Sequence, residues 1–165
     1  MTFFSIPDHS MRKTFIIFGY RLSRPLYQRA YKTKPAWRLD SAKMTAYPND
    51  SLGQALGQFL SQHRYTLLSQ FEDHDVAHVL TAIPPTVLGE IEMQYYLWGN
   101  GKRSPYLRMV LITGLLLYPE QCRRFWRAKR QGQQAHPFYR EDFLRLLSCD
   151  VADLRRCFNI HTHHA

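Results

Sequence analysis

His74-Asp75-Val76-Ala77-His78-Val79-Leu80-Thr81-Ala82-Ile83-Pro84-Pro85-Thr86-Val87-Leu88-Gly89-Glu90 decides how this chain is read. Residues four apart on a helix share a face, with Cβ atoms roughly 5 to 6 Å apart, so His74 and His78 form a pair, and Asp75 flanks the same face three residues before His78. Pro84-Pro85 breaks a helix and disfavours helical backbone just before it. The stretch therefore predicts a helix over about 72–82 and a return helix that starts near Pro85 or Thr86 and stops at Gly99-Asn100-Gly101, the two packed antiparallel. Glu90 then falls in the second turn of the return helix, within reach of His78. His74, Asp75, His78 and Glu90 make a two-nitrogen, two-oxygen set that suits a borderline divalent ion such as zinc. The set also contains the two-His-one-carboxylate group that non-haem iron uses. The plain alternative is a solvated helix face, since His pairs and carboxylates commonly face water.

Outward from this hairpin the chain continues to read as helix. Ser51-x-x-Gln54 is a capping box, followed by Leu52, Ala55, Leu56, Phe59 and Leu60 at intervals of three and four. Leu107 to Tyr118 reads as a buried apolar helix, and Pro119 as the first turn of another that runs through Arg130 with Gly132 as its stop. Phe138 to Leu147 and Val151 to Phe158, the latter capped by Asp150, complete the set. No alternating run bounded by hairpin signals occurs. The expectation is an all-α, single-domain helical bundle: a basic, aromatic-rich N-terminal arm over 1–43 and a helical metal-binding domain over 44–165, one folded unit. Gly89 inside a helix costs about 1 kcal/mol relative to alanine, which a close helix approach beside Glu90 would offset.

At 165 residues with 45% hydrophobic and 14% aromatic content, the chain is long enough for one core and too apolar for disorder. Cys122, Cys149 and Cys157 have no metal-type spacing and are odd in number, which argues against a disulfide framework and for a reducing compartment. The formal charge of +9 is uneven: residues 1–43 carry nine Lys and Arg against two acids, residues 44–101 one against six, and residues 102–165 twelve against five. The candidate metal site thus lies in an acidic segment between basic ones. A basic surface gains on the order of 1 kcal/mol per Lys or Arg that reaches anionic lipid, so peripheral membrane association is expected. In the arm, Arg12, Lys13, Arg21, Arg24 and Arg29 alternate with Phe15, Ile16, Phe18, Tyr20 and Tyr27, as in an interfacial segment or the solvated side of a core. Nucleic acid is disfavoured as a partner, because no recognition motif accompanies the charge. The longest apolar run, Met109 to Tyr118, would measure roughly 15 Å as helix against about 30 Å of hydrocarbon. With no convincing signal peptide, the expected location is cytoplasmic, peripheral at the inner face of the membrane.

Tyr47-Pro48-Asn49-Asp50-Ser51-Leu52-Gly53, His74 to His78, Val79-Leu80-Thr81 and Val87-Leu88-Gly89-Glu90-Ile91 together resemble one family. It is the ubiquinone (coenzyme Q) biosynthesis family described as 4-hydroxy-3-methoxy-5-polyprenylbenzoate decarboxylase. The family's hallmark is His-Asp-x-x-His, eleven residues, then Glu, and Val79 to Gly89 supply those eleven here. Asp153-Leu154-Arg155 and Ile160 are similar to its closing segment. Ala77 departs from the large aromatic residue that many members carry before the second histidine, and the chain has no long N-terminal extension, which suggests a bacterial or divergent branch.

The resemblance implies oxidative decarboxylation of a prenylated hydroxybenzoate, with a divalent metal ion, zinc first and iron or another transition metal next, acting as Lewis acid. It also implies a hydrophobic channel for the prenyl tail, with the Leu107 to Tyr118 helix and Tyr95, Tyr96 and Trp98 as candidate walls, and other quinone-biosynthesis proteins as partners. Two further readings stand beside it. One is a non-catalytic prenyl-lipid-binding or scaffold protein of a quinone-biosynthesis complex, with a structural ion. The other is a metal-dependent phosphohydrolase, which would draw further ligands from His63, His136 or Asp142. His161 to His164 read as a tail that binds metal adventitiously.

Overall fold

Ser51 and Gln54 open the first long helix as their spacing predicts. In the computed structural model, which describes Trp37 and residues 41–44, 46–63 and 72–162, this helix, α1, spans Leu52–His63 after a single helical turn at Ser41–Met44. The Ser51 hydroxyl accepts from the Gln54 amide at 3.3 Å, while the Gln54 side chain accepts from the Asp50 amide at 3.0 Å, one residue earlier than in the standard box. The next free amides, of Leu52 and Gly53, donate to the carbonyls of Cys149 and Leu147, so the C-terminal segment closes the start of α1.

Helix α2 is Glu72–Thr81 and α3 is Val87–Gly99, capped by Thr86, whose hydroxyl accepts from the Gly89 amide at 3.1 Å. Helix α4, Pro105–Leu117, starts two residues before the expected Leu107, because Ser104 caps it and Pro105 suits its first turn. A 3₁₀ turn at Pro119–Gln121 leads into α5, Cys122–Gln134, and a second at Phe143–Leu146 precedes α6, Val151–Cys157, capped by Asp150 through the amides of Ala152 and Asp153. The fold is all-α and single-domain, with no strand among the described residues. The basic arm expected over 1–43 lies almost wholly outside them.

Helix α3 runs through the middle, buried on most sides, and packs most extensively against α5. A Cβ on Gly132 would stand 2.0 Å from the Tyr96 carbonyl oxygen, and one on Gly99 would stand 2.0 Å from that of Lys129. Gly132 is therefore a crossing residue rather than the expected helix stop, and α5 continues through it. The expected helix from Phe138 to Leu147 is only the one 3₁₀ turn; before it, the buried Asn100 side chain accepts from the Phe138 amide at 3.0 Å and its Nδ2 donates to the His136 carbonyl at 3.0 Å, which ties this segment to the end of α3. Helix α4 is less buried than its composition suggests: Leu107 and Gly114 are covered, but Ile112, Leu115 and Leu116 are 61%, 41% and 74% exposed.

Candidate metal centre

The end of α2 sets the site. Ala82 adopts a left-handed conformation, φ 57°, a role usually given to glycine, and this turns the chain so that the Ile83 carbonyl points back to His78. His78 Nδ1 lies 2.7 Å from that oxygen, and since a carbonyl only accepts, Nδ1 carries a proton, so in the neutral ring Nε2 is the nitrogen left with its lone pair. The Thr81 hydroxyl donates to the Ala77 carbonyl at 2.7 Å, and Arg155 of α6 donates to the carbonyls of Val79 and Leu80, each at 2.9 Å. These bonds fix the last turn of the histidine helix. From α1, Phe59 stacks on the His78 ring, 5.8 Å between centroids and 13° between planes.

Glu90 arrives from the first turns of α3. A Cβ on Gly89 would lie 1.9 Å from the Pro84 carbonyl oxygen, so glycine lets the helix start fold onto the proline loop. The close approach is to this loop rather than to α2. Helix α2 packs against α1 and α6, and the expected side-by-side antiparallel packing of α2 on α3 does not form among the described residues. The two helices are joined instead by the Glu90 side chain. Its Oε2 lies 2.9 Å from His74 Nε2, its Oε1 lies 3.2 Å from His78 Nε2, and the two Nε2 atoms are 3.1 Å apart.

These three donor atoms converge, all within 4.8 Å of one another. Asp75 is not in that group, although its negative charge acts on His78. His63, His136 and Asp142 are not in it either: His136 bonds the Cys157 carbonyl and Asp142 pairs with Arg145. For zinc with ligands at about 2.0 to 2.1 Å, tetrahedral geometry puts donor atoms about 3.3 Å apart. The observed separations, 2.9 to 3.2 Å, fit such an ion with little adjustment. Burial opposes a charge on Glu90, but His74 and then His78 outweigh it and hold the carboxyl well below the usual range. For His78, burial works against protonation, and Glu90, the Ile83 carbonyl and Asp75 together outweigh it, raising the imidazole above its ordinary value. In the absence of a cation the three acceptors need a shared proton, which is what an ion would replace. Two imidazoles and one carboxylate can bind a divalent ion and leave a coordination position open.

Sequence reasoning missed Phe59, Ile83 and Arg155 as parts of this site. Phe59 reads as ordinary helix periodicity, and a backbone carbonyl leaves no side-chain signal. Of the candidate channel walls, Tyr95 and Tyr96 are core residues, Tyr95 stacking on Phe125 with a centroid distance of 5.1 Å.

The family described as Coenzyme Q (ubiquinone) biosynthesis protein Coq4 matches residues 61–164. A crystal structure from Nostoc punctiforme PCC 73102, provisionally described as a ubiquinone biosynthesis protein, superposes with a TM-score of 0.66 at 16% identity, over 93% of this chain and 83% of the other. At that identity the likeness speaks for the fold. None of the curated proteins matches the sequence.

Proposed function

The chain belongs to the Coenzyme Q (ubiquinone) biosynthesis protein Coq4 family, so its role is in ubiquinone biosynthesis, and from that premise we propose that it is a metal-dependent decarboxylase of a prenylated hydroxybenzoate. The observation that carries this reading is the convergence of His74 Nε2, His78 Nε2 and a Glu90 oxygen on one point. The ligands are these three residues, with Asp75 beside them as a supporting charge. Zinc is the first candidate, iron or another transition metal the next. When bound, the ion would supply Lewis acidity to the ring carboxylate or phenolate and, if it is redox-active, a place for dioxygen. The protein's own part is to fix the ligands: Ile83 sets the His78 tautomer, Arg155 holds the end of α2, and Phe59 shields the imidazole from water.

The rival reading is a non-catalytic prenyl-lipid-binding or scaffold protein with a structural ion. Structural zinc sites close with four protein ligands, whereas three leave a position for water or substrate, which favours catalysis. Prenylated ring, other quinone-biosynthesis proteins and anionic membrane are the proposed partners. The test is metal content by mass spectrometry on full-length protein purified without a metal-affinity column, beside Glu90→Ala and His78→Ala. Near one ion per chain, lost in both variants with helix content intact, is expected. Equal metal in the variants would mean adventitious binding at the C-terminal histidines, and no metal in any form would favour the scaffold.

A further inference from the structure

The proline break that turns the chain from α2 towards Glu90 leaves the end of α2 short of donors. A helical carbonyl accepts from the amide four residues on, and four residues after Leu80 stands Pro84, which has no N–H. Four after Val79 stands Ile83, whose amide donates instead to the Thr81 hydroxyl at 3.4 Å. Leu80 is fully buried, so its carbonyl cannot turn to water, and leaving it without a partner would be costly.

Arg155 of α6 supplies both donors. Its Nε donates to the Leu80 carbonyl and its Nη2 to the Val79 carbonyl, each at 2.9 Å. The planar guanidinium serves two neighbouring acceptors as one rigid group, which a single ammonium does not. Helix α6 is itself anchored. Asp150 caps it, Leu154 is buried, the Val151 amide donates to the Asp50 carbonyl at 2.9 Å, and the Ile160 amide donates to the Arg155 carbonyl at 2.8 Å. Val79 follows His78 directly, and the Ile83 carbonyl beside His78 Nδ1 lies three residues after Leu80. The guanidinium thus grips the stretch of backbone between the imidazole and the carbonyl that orients it.

Resting on the metal centre proposed above, we infer that Arg155 is a positioning residue for it: the guanidinium replaces the donors that the break at Pro84 withholds from α2, and so keeps the Ile83 carbonyl on His78 Nδ1 and His78 Nε2 turned to the ion. The same Pro84 serves Glu90, because the start of α3 at Gly89 folds onto its carbonyl. Break and guanidinium therefore act together, one bringing the carboxylate round and the other holding the imidazole that faces it. Charge gives the test its sign. A guanidinium near a cation site opposes the cation, so its removal would tighten zinc binding if charge alone mattered. Positioning requires the reverse.

The test compares full-length wild type with Arg155→Met, Arg155→Lys and Arg156→Met. Two quantities are read: the zinc affinity that His78→Ala removes, by competition with a chelator, and the His78 tautomer in zinc-free protein, by proton–nitrogen NMR correlation at a pH where the ring is neutral. Arg155→Met should bind zinc roughly tenfold more weakly, as loss of an orienting partner does, and should shift His78 from the Nδ1–H towards the Nε2–H tautomer. Arg155→Lys keeps the charge and a donor, so it should fall between Arg155→Met and wild type, and it carries both readings if Arg155→Met does not fold. Arg156→Met removes the same charge from the exposed side of α6, where Arg156 pairs with Asp153, and should bind zinc at least as tightly as wild type. An unchanged tautomer, or zinc affinity at or above wild type, in both Arg155 variants overturns the inference alone and leaves Arg155 a stability residue. Failure of the wild type to bind zinc overturns the proposed metal centre and this inference together.

Discussion

At the scale of single residues, a proton and the proposed ion would compete for the same atoms. His78 is raised above its ordinary value of 6.5, so it stabilises the metal-free fold fully below that pH and loses the contribution as pH rises through its folded value. Glu90 is lowered from 4.5, so its contribution is present above that pH and is lost as pH falls towards its folded value. The metal-free pair therefore supports the fold best between about 4.5 and 6.5. An ion needs His78 unprotonated at Nε2, so metal stabilisation should grow in the opposite direction. The rise in melting temperature on adding zinc should be larger at pH 7.5 than at pH 5.5. Calorimetry at the two values checks this, and an equal rise at both would place the zinc away from these imidazoles. His74, His78 and Glu90 were legible because two of them share a helix face and the third follows a proline break. Arg155 was not, because its partners are backbone carbonyls more than seventy positions away.

At the scale of elements, what positions Glu90 is the seating of α3 on α5. Gly99 and Gly132 face backbone oxygens of the opposite helix, so a methyl group at either must drive the helices apart rather than displace a flexible side chain. Gly132→Ala should destabilise by about 3 kcal/mol or more, beyond typical overpacking, since the obstacle is main chain. It should also lower metal affinity by moving Glu90 relative to α2. Urea denaturation gives the first quantity and zinc competition with a chelator the second; a wild-type midpoint in Gly132→Ala would contradict the crossing as described. Sequence alone reads Gly132 as a stop signal, for glycine at a helix end and glycine at a helix crossing look the same without the partner helix. The start signals were more legible. Ser51 with Gln54 and Asp150 act on amides within a few residues, so spacing reports them directly, and Thr86 caps where the proline pair predicts a start; Ser104 with Pro105 is as local a signal but is passed over for the apolar run from Leu107. The segment after Phe138 is anchored by Asn100, a partner 38 positions earlier that no local spacing reports.

At the scale of the whole molecule, charge and apolar exposure coincide along α4 and α5. Residues 102–134 carry eight Lys and Arg and one acid, and the same stretch exposes Ile112, Leu115, Leu116 and Trp126. Arg108, Ile112 and Leu115 follow one another at intervals of four and three, giving α4 an outward stripe with a cation at one end. On α5, Arg123, Arg127 and Arg130 repeat in the same way, all exposed, beside a Trp126 that Lys129 covers at 4.7 Å. No helix among the described residues is long and apolar enough to cross a membrane, and the proposed role of this mixed basic and apolar surface is to lie against a bilayer. A prenylated ring partitions into lipid, and a protein that draws it from there gains by resting on an anionic surface, at about 1 kcal/mol per basic contact. The full-length protein should therefore co-sediment with vesicles containing phosphatidylglycerol more than with neutral vesicles, and release as salt rises. Ile112→Glu with Leu116→Glu should weaken binding at least tenfold while leaving helix content and metal content unchanged, because both side chains are exposed and contribute little to the core. If the double variant binds as wild type does, the attachment lies elsewhere, and the basic residues of 1–43 become the segment to remove next.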